Sequence, residues 1–389
     1  MTERIVSHKI RMVKLSNVQQ NLLNQAFGTR RFVYNQAKAI SDAHYEETDK
    51  TLGKFDLRNR IVREVKPNNP WLYDFPKSLI EEAAFDYRQS LAGFFSRVRS
   101  GKGLKSGMPR FLAKGRSKDT FTVNNAQFKI EGRFLTITRL GTFRLAENLR
   151  WDGDNLTLTV TRRGSRVFAT VQVRVEYREA EHTGAVVGID QNLHNIALSD
   201  GTILDRNSPL RSSLVALRTA QKRLSRTQKG SRNREKAKRR VSRIYARISD
   251  QRDDAIKKLC SRIVVDNSII SIEDLNVRGM MSNRRLSRSL ADASFHKFAQ
   301  TLLGMSELEG RTIVKVDRYF PSSKKCSSCD AVKAKLSLSE RVYRCGECGV
   351  EIDRDVNAAI NIRDEGERLL GLTESDPRFL GTSMSVERT

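Results

Sequence analysis

The chain has 389 residues, and its 71 Lys and Arg outnumber its 45 Asp and Glu to give a formal net charge of +26. With 38% hydrophobic and 30% charged residues and only 7 Pro and 23 Gly, the composition is that of a globular protein and excludes the disordered and fibrous classes. The length predicts two or three folded units, and the charge predicts a polyanionic partner.

Neither a secretion signal nor a membrane-spanning segment is predicted. The first 14 residues are rich in charge and lack an apolar core, and no stretch approaches the roughly 18 apolar residues that would cross a bilayer. Four of the five cysteines lie within 23 positions, which favours a metal site in a reducing compartment over disulfides. We therefore expect a soluble, cytoplasmic protein with no membrane partner.

The first hundred residues predict a strand followed by helices. Strand-like residues 4–15 precede a helix start at Ser16, where Gln19 completes a capping-box pattern. Apolar residues at helical spacing continue to residue 99, so residues 16–99 are predicted to form a helical unit. Residues 100–118 contain six Lys or Arg, four Gly and no acid, which predicts a basic loop.

Residues 120–177 change to a period of two, which predicts several short strands. Together with the N-terminal strand, these strands are expected to form a small β-barrel into which the helical unit is inserted. The polar residues 178–184 place a domain boundary near residue 180. Beyond it, residues 186–189 and 195–198 predict a hairpin that opens the second half of the chain.

Residues 211–262 are predicted to form a long helical hairpin with its connection near Gly230. The segment from Arg218 to Arg247, called here the basic hairpin tip, contains 13 Lys or Arg and one acid, Glu235. Charges on a helix face are commonly only solvated, but this imbalance favours contact with phosphate. The candidate phosphate-binding residues in this segment are Lys222, Arg223, Lys229, Arg232, Lys238, Arg239 and Arg240.

Two cysteine pairs predict a zinc ribbon. Cys326 and Cys329 form one pair, and Cys345 and Cys348 form the second after 15 intervening residues. A gap of two residues lets one turn present both sulfurs to the same ion, and four thiolates suit Zn²⁺. Unrelated thiols or disulfides are the alternative. The predicted role is structural, because four protein ligands leave no open position for water.

Three acids stand at the ends of predicted elements. Asp190 follows the apolar strand 186–189, Glu273 follows the apolar strand 269–272, and Asp355 stands where a helix begins. A charge at the end of a buried strand is costly unless it meets a cation or faces a cleft. These acids could therefore converge on two Mg²⁺ ions about 3.5 to 4 Å apart, which would activate water and stabilise the leaving oxygen of a phosphodiester.

Each acid also has an ordinary explanation. Asp190 and Glu273 could each begin a turn, Asp353 could be a helix N-cap, and Asp355 could interact with the helix dipole. Asp274 is the local rival to Glu273 as a ligand. The three acids together, on a basic chain with the cysteine pairs between the second and third, favour a metal-dependent nuclease.

These motifs also occur in a fixed order along the chain. Those of the second half are Gly188-Ile189-Asp190, Ile272-Glu273-Asp274-Leu275-Asn276, the four cysteines, and Asp353-Arg354-Asp355-Val356-Asn357-Ala358-Ala359. Those of the first half are Phe27-Gly28, Arg31-Phe32-Val33-Tyr34-Asn35, Met108-Pro109-Arg110-Phe111, and Leu140-Gly141 before Phe143-Arg144-Leu145. From about residue 8 to residue 365, the chain resembles TnpB, the insertion-sequence protein family related to type V CRISPR effectors.

The resemblance implies an α+β multidomain fold. It assigns a β-barrel wedge domain to residues 1–15 and 100–180, with a helical recognition domain inserted at 16–99. A RuvC-like nuclease domain of ribonuclease H fold follows at 181–365, and the zinc ribbon lies within it at 321–350. Residues 366–389 lie outside the resemblance, have little apolar periodicity, and are predicted to be a mobile tail.

The resemblance further implies an RNA-guided DNA endonuclease encoded by a mobile element. Pairing with a guide RNA would read the target double-stranded DNA, and the protein would recognise a short flanking motif. Asp190, Glu273 and Asp355 would hold two catalytic Mg²⁺, beside a structural Zn²⁺. The implied nucleic-acid contacts are Arg110 and, near the flanking motif, Asn124 and Asn125. A monomeric ribonucleoprotein, cytoplasmic and associated with the nucleoid, is expected.

One departure and two alternatives accompany this interpretation. The family usually has glycine two residues after the first acid, where this chain has Asn192; Asn tolerates left-handed backbone, so the turn could survive.

A nuclease-silent, RNA-guided repressor is the first alternative, although such a protein would usually have lost one of the acids. A strand-transfer transposase is disfavoured, because the five histidines include no His-x-His pair.

Overall fold

The structure, a computed structural model, divides into two compact units, Met1–Tyr177 and Arg178–Thr389. The residues it describes are 2–100, 107–177, 185–206, 209–283, 287–337 and 339–371. The predicted boundary segment 178–184 and part of the predicted basic loop, residues 101–106, lie outside the described residues.

An antiparallel sheet of seven strands forms the framework of the first unit. Its strands are β1 (Thr2–Val13), β2 (Thr120–Asn124), β3 (Phe128–Glu131), β4 (Phe134–Ile137), β5 (Gly141–Leu145), β6 (Asp154–Arg163) and β7 (Arg166–Tyr177). The pairing order is β2-β6-β7-β1-β5-β4-β3, so the first strand of the unit pairs with the last. The predicted strands thus form one sheet whose pairing order ends at β2 and β3. A pairing of β2 with β3, which would close the expected barrel, is not among the strand pairs of the described residues.

The α-helices of the first unit lie between β1 and β2 in the chain. This segment contains α1 (Asn17–Thr48), α2 (Lys54–Arg60), a π-helical turn (Ile61–Val65), a 3-10 helix (Pro70–Asp74) and α3 (Lys77–Arg99), and a short 3-10 helix (Asn125–Gln127) follows β2. The predicted start of α1 is confirmed: the Ser16 hydroxyl accepts from the backbone N–H of Gln19, and the Gln19 side chain accepts from the backbone N–H of Ser16.

A mixed sheet of five strands forms the framework of the second unit. Its strands are β8 (Val186–Gln191), β9 (Asn195–Leu198), β10 (Ile203–Asp205), β11 (Ile269–Glu273) and β12 (Thr312–Val316). The order is β10-β9-β8-β11-β12, with β8, β11 and β12 parallel to one another. The predicted hairpin of β8 and β9 is confirmed. Because parallel strands share a direction, the carboxyl ends of β8, β11 and β12 lie at one edge of the sheet.

Helices pack on both faces of this sheet. They are α4 (Pro209–Ser225), α5 (Arg232–Asp266), α6 (Val277–Met281), α7 (Ser287–Ala293), α8 (Phe295–Leu308) and α9 (Arg354–Leu369). The predicted helical hairpin is confirmed as α4 and α5. Helices α5 and α8 bury Cys260 and Phe298 in a core with Val187 and Ile189 of β8. Helix α9 packs against the opposite face, where Ala359 contacts Ala197 of β9.

The second unit also contains a two-stranded ribbon, β13 (Val342–Arg344) and β14 (Glu351–Asp353). Strand β14 runs directly into α9. The boundary of the predicted tail at residue 366 is too early, because α9 continues to Leu369. Residues 372–389 of the predicted tail lie outside the described residues. Gly366 is buried within this helix, where the absent side chain lets it lie against Ser271 of β11. No described helix is long and apolar enough to span a membrane.

Candidate metal centres

Strand alternation places two of the predicted acids on the same face of the second sheet. Val187 and Ile189 of β8 face the core under α5 and α8, so Gly188 and Asp190 face the opposite side. By the same alternation, Ile270 and Ile272 of β11 face that core, and Ser271 and Glu273 face the opposite side. The adjacent, parallel strands pair Ile189 with Ile272, so Asp190 and Glu273 follow at neighbouring positions.

Helix α9 brings the third acid to this face. A Cβ atom added to Gly188 would lie 2.0 Å from the carbonyl oxygen of Ala359 and 2.5 Å from the backbone nitrogen of Arg363, so only glycine permits this approach. Gly366 makes a similar approach to Ser271, where an added Cβ would lie 1.9 Å from the hydroxyl oxygen. With its later turns fixed on β8 and β11, α9 presents Asp355, in its first turn, at the carboxyl edge of the strands.

We call Asp190, Glu273 and Asp355 the carboxylate site. Burial is the largest cause that raises the pKa of Asp190 to about 7; the neighbouring carboxylates of Asp355 and Glu273 add to it, whereas the hydrogen bond from Asn192 and the charge of Arg354 oppose the shift. Burial also raises the pKa of Glu273, and the hydrogen bond from Ser322 opposes that shift. The site therefore gathers three acids at buried or partly buried positions, where a bound cation would favour their charged forms.

Each carboxylate has a defined partner. Asn192 Nδ2 donates to Asp190 Oδ2 at 2.9 Å, and Ser322 Oγ donates to Glu273 Oε1 at 3.1 Å. The Arg354 guanidinium pairs with Asp355 Oδ1 at 3.2 Å. The second oxygen of Asp190 and of Glu273 accepts no hydrogen bond within the part of the chain that the structure describes. That oxygen remains available to a cation.

The competing acids have other partners. Asp353 is the N-cap of α9: its Oδ1 accepts from the backbone N–H groups of Asp355 and Val356 at 2.8 and 3.1 Å. Asp274 forms an exposed ion pair with Arg318. The structure thus brings Asp190, Glu273 and Asp355 to one face of the sheet and directs Asp353 and Asp274 to structural contacts.

The four cysteines, called here the zinc centre, form a compact cluster. Their sulfur atoms all lie within 4.8 Å of one another, with 3.7 Å between Cys326 and Cys348 and 3.5 Å between Cys329 and Cys345. These separations exceed the roughly 2.05 Å of a disulfide bond. They match the edge of about 3.8 Å expected for a tetrahedron of sulfurs at about 2.3 Å from Zn²⁺. The cluster could therefore hold a zinc ion.

Backbone amides prepare these sulfurs for metal binding. The N–H groups of Cys348 and Glu347 donate to Cys345 Sγ at 3.5 and 3.4 Å, and they lower the pKa of Cys345 to about 6. The N–H group of Ser328 donates to Cys326 Sγ at 3.5 Å. The second turn therefore stabilises the Cys345 thiolate, which is the form that binds Zn²⁺.

Two buried asparagines of α9 join the zinc centre to the carboxylate site. No role was predicted for them from the sequence. Asn357 Oδ1 accepts from the backbone N–H of Ser327 at 3.0 Å, and Asn357 Nδ2 donates to the carbonyl of Lys325 at 2.8 Å. Asn361 Nδ2 donates to the carbonyls of Ser322 and Lys325 at 2.8 and 2.7 Å. Their spacing of four residues on an otherwise apolar helix face could have indicated buried polar partners.

The turn survives with Asn192 in the position where the family usually has glycine. The β8–β9 turn is intact, with Asn192 N–H donating to the Asn195 carbonyl at 3.1 Å. Asn192 is not one of the described non-glycine residues with positive φ, which are Lys14, Asp49, Arg139, Ser294 and Asp330. Asn192 therefore does not use left-handed backbone, and its amide instead hydrogen-bonds Asp190.

The candidate nucleic-acid contacts are mostly at the surface. Lys222, Arg223, Lys229, Arg232, Lys238, Arg239 and Arg240 are all exposed on the basic hairpin tip, although Lys238 pairs with Glu235. Arg110 and Asn125 are exposed in the first unit. Asn124 ends β2, and its Oδ1 is buried without a hydrogen-bond partner among the described residues. Among the candidate nucleic-acid contacts, only Asn124 has a buried polar atom without a hydrogen-bond partner in the described residues.

Three family models match successive parts of the chain. The family described as "Probable transposase" (OrfB_IS605) matches residues 169–284, the "Helix-turn-helix domain" of the same proteins matches 7–50, and the "Cas12f1-like, TNB domain" matches 295–362. The last match contains the zinc centre and Asp355.

Individual relatives extend over most of the chain. A Streptomyces pristinaespiralis protein named "Putative RNA-guided DNA endonuclease" is 32% identical over 352 residues, which are 88% of this chain and 85% of the relative. InsQ of Escherichia coli K12, which has the same description, is 24% identical and covers 89% of both chains. The Cas12f1–sgRNA–target DNA complex aligns at a TM-score of 0.48 and 13% identity over 93% of this chain and 99% of that chain. The extent and identity of the Streptomyces match show that this chain belongs to the TnpB family.

Proposed function

We propose that this chain is an RNA-guided DNA endonuclease that cuts target DNA beside a short flanking motif. The observation that supports this most directly is the carboxylate site, where Asp190, Glu273 and Asp355 come from three elements to one face of the sheet. The names of the Streptomyces and E. coli relatives describe the same activity.

The carboxylate site fits divalent cations. Burial and the neighbouring carboxylates of Asp355 and Glu273 raise the pKa of Asp190, and a bound cation would offset both effects; carboxylate oxygens are the ligands that Mg²⁺ prefers. Asp190, Glu273 and Asp355 would hold two Mg²⁺, which when bound would supply Lewis acidity to activate water and stabilise the leaving oxygen of the phosphodiester. Asp353 and Asp274 are not assigned to this role, because both have structural partners.

The chain's own contribution is to hold the carboxylates in place. Strands β8 and β11 fix Asp190 and Glu273 side by side, and the Gly188 contact fixes α9 above them. Asn192 and Ser322 each orient one carboxylate oxygen and leave the other available. Rigid elements with supporting hydrogen bonds are what a precise site needs.

The zinc centre has a structural role in this proposal. Its four thiolates leave no open position for catalysis. Strand β14 continues into α9, and Asn357 and Asn361 fix the cysteine turns to that helix. A zinc ion would therefore stabilise the segment that positions Asp355.

The rest of the chain would bind the nucleic acids. We assign the sheet of the first unit to a wedge domain, the helices of 16–99 to a recognition domain, and 181–365 to the nuclease domain with its ribbon at 321–350. The exposed cations of the basic hairpin tip would contact phosphate. Asn124, with its unsatisfied Oδ1, and its neighbour Asn125 would lie near the flanking motif.

The test begins with the RNA. The gene is expressed with its native flanks, the protein is purified at high salt, and the retained RNA is sequenced. We expect one discrete species with a constant scaffold and a guide-like end. That guide then directs Mg²⁺-dependent cleavage of a matching DNA, and Asp190→Ala abolishes the cleavage while RNA and target binding persist.

A matched control separates the site from a general loss of charge. Asp205→Asn removes an exposed carboxylate on β10 of the same sheet and should leave cleavage unchanged. A random mixture of RNA, or none, would refute guided activity. Guided binding without cleavage by the unsubstituted protein would favour the nuclease-silent repressor.

A further inference from the structure

Tyr319 has the most exposed side chain among the large hydrophobic residues that the structure describes, with 86% of its surface accessible. It follows β12, whose carboxyl end lies at the same edge of the sheet as those of β8 and β11. Among the described residues, no aromatic ring or cationic side chain packs against the Tyr319 ring. A tyrosine so placed displays both faces of its ring to solvent.

The loop that bears Tyr319 is fixed by hydrogen bonds. The Tyr319 N–H donates to Asp317 Oδ1 at 2.8 Å, and the Phe320 N–H donates to the Asp317 carbonyl at 3.0 Å. The Ser322 N–H donates to the Phe320 carbonyl at 2.8 Å, and Asn361 holds the Ser322 carbonyl. The exposed ring therefore stands on an ordered turn, so little backbone entropy would be lost if it bound a ligand.

Contacts on both sides of Tyr319 place it beside the carboxylate site. Arg318 pairs with Asp274, the residue after Glu273. Ser322 hydrogen-bonds Glu273 itself. Three Cα steps separate Tyr319 from Ser322, a span of at most about 11 Å. Stacked nucleotides rise about 3.4 Å each along a strand, so an upper bound of about 11 Å between these two Cα atoms sets the separation of Tyr319 from a phosphate at the carboxylate site at the scale of about three nucleotides.

We propose that Tyr319 stacks on a base of the DNA strand being cut, within about three nucleotides of the scissile phosphate. This inference rests on the proposed nuclease function and names a substrate contact of that site. An exposed aromatic ring stacks on any base, so the contact holds the strand without reading its sequence. Arg318, paired in part with Asp274, would offer a neighbouring positive charge to the backbone of the same strand.

Base stacking is measured directly with a fluorescent base. A guided complex containing Asp190→Ala, which binds without cutting, receives target DNA with 2-aminopurine at each position within three nucleotides of the cut. We expect quenching at one position or two adjacent positions, loss of that quenching with Tyr319→Ala, and its retention with Tyr319→Phe. Unchanged quenching with Tyr319→Ala would overturn the proposal.

Cleavage kinetics provide the second measurement, made with proteins that retain the native Asp190. Tyr319→Ala should raise KM for the DNA about 10-fold with a smaller change in kcat, because stacking holds the strand and takes no part in the chemistry. Tyr319→Phe should restore the unsubstituted KM. Val265→Ala, which shortens an exposed side chain near the end of α5, is the control and should leave KM unchanged.

RNA retention distinguishes the strand contacted. If Tyr319→Ala lowers the amount of copurified RNA while KM for DNA is unchanged, the ring contacts guide RNA and the DNA contact is refuted. If the unsubstituted protein cuts as proposed and Tyr319→Ala cuts with the same KM, this inference alone fails. If the unsubstituted protein shows no guided cutting, both the function and the inference fail.

Discussion

The zinc centre and the carboxylate site belong to the same unit, yet they are assembled over very different distances along the chain. The cysteines come from two turns with 15 residues between them, and their sulfurs already lie within 4.8 Å of one another. The carboxylates come from β8, β11 and α9 and are spread from residue 190 to residue 355. Among the described residues, only the cysteines form a group of three or more such ligands within 4.8 Å.

The difference follows from where the ligands stand in the chain. Each turn carries two of the cysteines, and backbone N–H groups within these turns donate to Cys326 and Cys345, so two turns suffice to gather the four sulfurs. The three carboxylates stand on three separate elements, and burial first and then the charges of Asp355 and Glu273 raise the pKa of Asp190, so the packing of the sheet and helix must hold them together. A site of this kind depends on tertiary contacts that a thiolate cluster does not need.

The largest expected effect distinguishes two acids of the same helix start. Asp355→Asn should lower guided DNA cleavage by at least about 1,000-fold, because it removes a proposed metal ligand. Asp353→Asn is the matched control: Asn caps helices as well as Asp, so it should retain activity within about two-fold. Equal losses in the two variants would remove Asp355 from its assigned role.

Loss of zinc should come next in magnitude. Cys345→Ser should reduce bound zinc, measured by elemental analysis, from one ion per chain to a small fraction. It should also lower the free energy of unfolding of the second unit by about 3 to 5 kcal/mol. Cys260→Ala, at the buried cysteine of α5, should leave the zinc content unchanged. Full zinc content in Cys345→Ser would refute the ribbon.

The packing of α9 can be tested without altering any acid. Gly188→Ala places a Cβ against the backbone of Ala359 and Arg363, so we expect a loss of about 1 to 3 kcal/mol in stability. Cleavage should fall and zinc should remain, because α9 is displaced from β8 while the four cysteines keep their positions relative to one another. Gly304→Ala in α8, where nothing lies within 4 Å, should stabilise the protein by up to about 1 kcal/mol. Unimpaired cleavage by Gly188→Ala would show that the acids tolerate a looser helix.

The smallest effect concerns the orientation of a single carboxylate. Asn192→Ala removes the hydrogen bond to Asp190 Oδ2 and should raise the Mg²⁺ concentration for half-maximal cleavage about 10-fold. Metal binding measured by calorimetry should weaken to a similar extent. An unchanged Mg²⁺ requirement would mean that β8 and α9 alone orient Asp190.

Features that depend on neighbours in the chain were predictable. The Ser16 and Gln19 capping box, the β8–β9 hairpin and the cysteine spacing each involve residues a few positions apart, and each prediction is confirmed by the structure. The tail boundary was placed too early, because residues 366–369 lack apolar periodicity, whereas Gly366 packs closely against Ser271 within α9. The turn at Asn192 survives as the sequence allowed, but the hydrogen bond from its amide to Asp190 was not predicted.

The sequence by itself determined the acids, the cysteines and the elements that contain them, because capping, alternation and ligand spacing are local properties of a chain. Only the tertiary structure decided which acids share a face and which, such as Asp274, are paired elsewhere. It also decided that Asn357 and Asn361 tie the zinc centre to α9 and that Tyr319 stands exposed at the same edge. The physical reason is that strand order and the approach of α9 to Gly188 join residues far apart in the chain, and no local pattern specifies those contacts.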